Sequence, residues 1–194
     1  MIDSEKTLVH WNYFLALEND LEQIARYIEF AKKNFKTYSI ELAHLLLTAS
    51  SEVDVVTKAL CKKINSKART KNIDDYKIII KKQLPDMIKE EVFIARYGLT
   101  LHPWKNWIKE DNPDWWHSYN YVKHERSSHF EKANLKNVLN AMAGLLVTVF
   151  YFYQQEYASI NAIYSDVKQV TEILRPETKL LRLSEKYYFE PVVY

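Results

Sequence analysis

The chain has little of what usually punctuates or cross-links a fold. Two glycines and five prolines in 194 residues leave few places for a helix to break, so long helices are predicted. A single cysteine, Cys61, excludes an internal disulfide and a multi-cysteine zinc module, and is the usage expected of a protein kept in a reducing cytoplasm. Its neighbours are apolar helix positions, where an inert buried thiol is the usual finding. The longest apolar stretch, AMAGLLVTVFYFY from Ala141 to Tyr153, falls short of the roughly 20 residues that span a bilayer, so it reads as a buried core helix and no membrane partner is expected. The first residues, MIDSEKTLVHW, lack the basic-then-apolar layout of a signal peptide. No Gly-rich phosphate loop occurs, which removes dinucleotide-binding and Walker-type readings. A formal charge of +2 excludes a strong global field, so any anion site has to be built locally.

What is present is ordinary globular material: 47% hydrophobic and 27% charged residues, enough for one domain over 1–194 with a single core. Phe14, Leu17, Leu21, Ile24 and Ile28 recur at spacings of three and four, predicting an amphipathic helix over roughly 4–34 with Glu18, Asp20, Glu22 and Arg26 mostly on its other side. Ser39 is a candidate N-cap for a second helix, striped by Leu42, Leu45, Leu46, Ala49, Val53, Val56 and Leu60 and ending near Asn65. The basic stretch Lys62 to Lys71 reads as a solvated connector. A third helix begins at Asp74 or Asp75 and is broken or kinked by Pro85. From Val92 to Asp114, Gly98, Pro103 and Pro113 interrupt any helical period, which suggests an irregular insertion with a short hairpin. A helix resumes near Trp115, breaks near Ser127 and continues through Leu135, Val138, Met142, Leu146 and Val149 to about Tyr157, with Gly144 marking a close approach between helices. A last helical piece covers 160–174. The tail LLRLSEKYYFEPVVY is extended, either as a strand on its own domain or as a partner-binding segment. The fold class is therefore all-α: an antiparallel helical bundle with one loop or short-hairpin insertion around 92–114.

One segment departs from this pattern. DWWHSYNYVKHERSSHF, Asp114 to Phe130, holds three of the six histidines and two adjacent tryptophans. On a helix, His117, Asn120 and His124 stand at i, i+3 and i+7, so they share a face with Lys123 beside it. Arg126 lies six residues beyond Asn120, about 240° round a regular helix, and its relation to that face stays open. These side chains supply an imidazole that exchanges protons near neutral pH, an amide, and a cation for phosphate. Trp116, Tyr119, His117 and His129 are candidate substrate contacts, the rings by stacking on bases. Equally, Trp115, Trp116, Tyr119 and Val122 are core residues if the polar ones simply face water. No metal or other cofactor is expected, since His117 and His124 lie about 10.5 Å apart along the axis with no acidic residue joining them.

The order ELAHLLLTASSEVDVVTKAL on an early helix, then YNYVKHERSSHFEKANLKNVLNAMAGLLV on a later one, resembles the HEPN superfamily of small helical bundles. Over most of the chain, that resemblance implies a metal-independent endoribonuclease of toxin or phage-defence type, homodimeric so that two Arg-(4 to 6 residues)-His motifs face one another, with RNA or a nucleotide as ligand and an antitoxin or effector protein as further partner. Asn120 and His124 match the motif's Asn and His, while Tyr119 stands where its Arg belongs. The resemblance implies His124 as general base, Asn120 as its orienting group, and Lys123 and Arg126 as the cations that replace the missing arginine. It also implies polar companions from the second helix, among Glu41, His44, Ser51 and Glu52. Glu41 fits equally as a carboxylate at the positive end of that helix. A literal match, RYGLTLH from Arg96 to His102, falls in the irregular insertion and is set aside. Two further readings follow from the same residues: a HEPN-like module that binds RNA or nucleotide without cleaving it, and a structural or protein-interaction domain.

Overall fold

The computed structural model describes residues 7–160 and 167–188. Among these, the chain runs α1 (Val9–Ile24), α2 (Ile40–Ile64), α3 (Ile73–Gln83), β1 (Val92–Ile94), β2 (Leu99–Leu101), α4 (Asp114–His124), α5 (Arg126–His129), α6 (Leu135–Ile160) and α7 (Val167–Ile173), joined by short 3-10 turns. It is a mostly helical fold. The central pair is α2 against α6; α1 and α4 each touch both, and α3 lies on α2.

Local chemistry accounts for these helices. Ser39 caps α2, its hydroxyl accepting from the Leu42 N–H at 3.1 Å, and the whole stripe from Leu42 to Leu60 is buried. Asn72 does the same for α3 through Asp75, whose acidic first turn and Lys81, Lys82 in the last turn complement the helix dipole. Every residue of α6 from Ala141 to Tyr153 is buried, as expected of a helix that is apolar on all sides. By length and composition alone α6 could cross a membrane, but 89% of its apolar window is covered by the rest of the fold.

Two expectations for the first helix are corrected. α1 stops at Ile24, ten residues before the predicted end: the Arg26 and Tyr27 N–H groups fall back to the Gln23 and Ile24 carbonyls, and the chain turns to bury Phe30 against the Tyr97 ring. Glu18, assigned to the solvent side, is 2% exposed. Its carboxylate accepts the backbone N–H groups of Lys179, Leu180 and Leu181 at 2.9, 3.1 and 2.9 Å, which ties the C-terminal segment to α1. Burial pushes this carboxyl above its usual range, with the three N–H donors pulling the other way.

The insertion contains the expected hairpin. β1 and β2 pair antiparallel, Val92 opposite Leu101 and Ile94 opposite Leu99, and Gly98 supplies the left-handed turn at φ +60°. The rest of the insertion belongs to the core. Trp104 and Trp107 are fully buried with ring centroids 4.3 Å apart, and Trp104 meets the Trp115 ring edge-on.

Arg182 in the tail forms an isolated antiparallel bridge with Phe93. Leu180, Leu181, Leu183 and Tyr187 are buried, and Tyr187 and Tyr151 both donate to the buried Glu90 carboxylate. The described tail thus packs on its own domain. The ends of the predicted first and last helices at 4–6 and 161–166, and of the tail at 189–194, lie outside the described residues.

Candidate functional site

α4 starts behind Pro113 and stops at Glu125, whose backbone leaves the helical region at φ −136°, ψ 47°. Trp115, Trp116, Ser118, Tyr119 and Val122 form its buried side. His117, Lys123 and His124 are exposed and Asn120 is half-buried, so the sequence spacing does place His117, Asn120 and His124 on one solvent face.

The groups differ in what holds them. The His117 Nε2 lies 3.5 Å from the Asp111 carboxylate, and the Lys123 ammonium sits 5.3 Å over the Tyr119 ring. Among the described residues none forms a hydrogen bond or ion pair with the His124 imidazole. His129 is 3.5 Å from Glu125 and rests against the Tyr121 ring.

Three expected site residues are placed differently. Trp116 and Tyr119 are 8% and 6% exposed and pack ring to ring at 5.3 Å; burying them against α2 and α6 removes them from any stack with a base. Glu52 accompanies His10, not His124. Its carboxylate is 2.7 Å from the His10 Nδ1, and His10 in turn meets Phe152 edge-on, which closes the contact between α1, α2 and α6.

Arg126 does not continue the α4 face, because the break at Glu125 carries it onto α5. There it lines a shallow hollow of about 460 Å³ with Ser127, Phe130 and, from the start of α2, Ile40, Ala43 and His44. Glu41 is exposed in the first turn of α2, 3.9 Å from His44. The set-aside match, Arg96 to His102, spans a 3-10 turn and the hairpin, with Arg96 over the Tyr97 ring and His102 3.4 Å from Glu91. The lone thiol is fully buried, and burial pushes Cys61 up to about 12.

One arrangement escaped the sequence reading altogether. A cleft of about 190 Å³ opens where the loop before α2, the end of β2, the turn after it and the first turns of α4 and α6 meet. Lys32, Lys105 and Lys136 line it with His102, Asn106 and Asp114. The lysines are 31 to 104 positions apart in the chain, so no local pattern could have joined them. Glu18 and Glu90, the buried carboxylates that hold the tail, were hidden for the same reason.

Compared with protein-family models, with curated protein sequences and with solved structures, the chain has no match.

Proposed function

We propose that this is a HEPN-like helical protein that binds RNA or a nucleotide through the solvent face of α4 and α5 without cleaving it. One observation carries the reading. Tyr119, at the position of the motif's arginine, is a neutral phenol turned into the core, so the scissile phosphate would lack its main stabilising charge. His117, Asn120, Lys123 and His124 remain available at the surface for phosphate and ribose contacts.

A second reading, a metal-independent endoribonuclease formed by two copies, is favoured by the hollow beside Arg126. Exposed Ile40 and half-buried Phe130 line it, and the exposed Tyr38 ring meets Phe130 edge-on, an apolar rim on which a second copy, or an antitoxin or effector protein, could seat. Facing pairs of His124 and Arg126 would then supply base and cation.

Both are tested with labelled RNA. In EDTA, on a denaturing gel, the binding reading expects no product above that of the His124→Ala variant. Cleavage abolished in His124→Ala, by a factor of roughly a hundred to ten thousand, would replace it with the nuclease reading. Fluorescence polarisation across a salt series should show affinity falling with salt, and Lys123→Ala or Arg126→Ala should each reduce the slope by about 0.7 for every phosphate left without its cation. Salt-independent binding, or none, would sink the nucleic-acid reading and leave a protein-interaction domain.

A further inference from the structure

We propose that the cleft between the loop before α2 and the first turn of α6 is a binding site for a small phosphate monoester. It lies at the N-terminal end of α4, one turn from His117 and away from the His124 and Arg126 end of the α4–α5 face. Asp114, at the cleft, and His124 are ten helical residues apart, about 15 Å along α4, and the proposal stands whether or not that face binds RNA.

The charge balance is the first argument. Lys32, Lys105 and Lys136 present three ammonium groups against one carboxylate, Asp114. That carboxylate is already engaged, 3.6 Å from Lys136 and accepting from the Asn106 amide at 3.2 Å. Among the described residues neither the Lys32 nor the Lys105 ammonium has a hydrogen bond or ion pair. Two uncommitted cations and a third beside Asp114 suit a dianion better than a singly charged carboxylate ligand.

The second argument is rigidity. The wall formed by Trp115 is fixed by its indole N–H, which donates to the Pro103 carbonyl at 2.9 Å, and the ring fits against α6 where Gly144 has no side chain. Asn137 donates to Ser118 and to the Lys132 carbonyl. The loop carrying Lys32 is tied to α6 by the Leu135 and Lys136 N–H groups, which donate to the Thr37 and Phe35 carbonyls. Those N–H groups are therefore spent, and an anion is met by the lysine side chains. The walls are thus preformed, and the ordering left for binding is that of the Lys32 and Lys105 side chains.

Size selects the ligand class. About 190 Å³ is below the roughly 300–1,000 Å³ of sites for drug-sized ligands. Phe35, Leu101, Pro103 and Trp115 give the cleft an apolar side. That combination suits one phosphate with a sugar-sized organic part.

The test is isothermal titration of the full chain with ribose 5-phosphate, inorganic phosphate, ribose, and a short single-stranded RNA, at one ionic strength. Ribose 5-phosphate should bind saturably at one site and more tightly than inorganic phosphate, and ribose should not bind. The Lys32→Gln/Lys105→Gln double variant should weaken binding by about tenfold, in line with two partly screened ion pairs. Asp114→Asn should tighten it by about threefold. Lys58→Gln, on the exposed side of α2, should leave it unchanged. Circular dichroism checks that each variant is folded. Absence of saturable binding, a folded double variant that binds like the parent, or lysine-dependent binding of the RNA alone would each overturn the proposal.

Discussion

Replacing Glu18 by Ala would leave the N–H groups of Lys179, Leu180 and Leu181, the last two of them buried, without an acceptor. At about 1–3 kcal/mol for an unsatisfied buried group, relieved in part by water, the variant should lose about 2–4 kcal/mol, read as a lower urea midpoint. The same residue sets a pH dependence. Burial raises its pKa in the fold, so the folded chain binds that proton more readily than the unfolded one. Its contribution is fully present below the ordinary value of 4.5 and declines as pH rises through the folded value. The stability of the native protein relative to Glu18→Gln, which cannot ionise, should therefore fall as pH rises above about 4.5; a flat difference would refute the assignment. At Cys61, burial that pushes the thiol up to about 12 should keep it unreactive. Thiol-reagent labelling at pH 8 should proceed only once denaturant has unfolded the chain.

At the scale of the element, Gly144 is the sharpest case. A Cβ there would lie 3.0 Å from the Trp115 ring and 3.6 Å from Pro103. The indole is anchored by its N–H and cannot yield, so Gly144→Val should destabilise by about 1–3 kcal/mol through overpacking despite losing a helix-weakening glycine. Thermal denaturation checks it. The glycine was legible from sequence as a point of close approach because little else justifies Gly inside an apolar helix. The cap at Ser39 and the stripe of α2 were legible too, since both depend on neighbours within one or two turns. The end of α1 was not: Phe30 leaves the helix to reach Tyr97, a partner far along the chain. Arg126 was out of reach for a related reason, because the break at Glu125 ends the periodicity on which its angle depends.

For the whole molecule, the C-terminal segment acts as a strap across α1 and β1. A chain ending at Arg175 would expose the seats of Leu180, Leu181, Leu183 and Tyr187 and strip the Glu18 and Glu90 carboxylates of their tail donors. We expect the thermal midpoint to fall by more than about 10 °C, the scale of several kcal/mol in a chain of this size. A midpoint within a few degrees of the parent would show that the tail is dispensable. By itself the amino-acid sequence determined the long helices, the cap of α2, the hairpin about Gly98 and the shared face of His117, Asn120 and His124, all properties of periodicity and local hydrogen bonding. Only the tertiary structure decided that Trp116 and Tyr119 are core, that Glu52 belongs to His10, that Glu18 is buried, and that Lys32, Lys105 and Lys136 share one cleft. The reason is physical: whether a side chain is buried or partnered depends on which distant surfaces close over it, and a short window of sequence contains only one side of each such pairing.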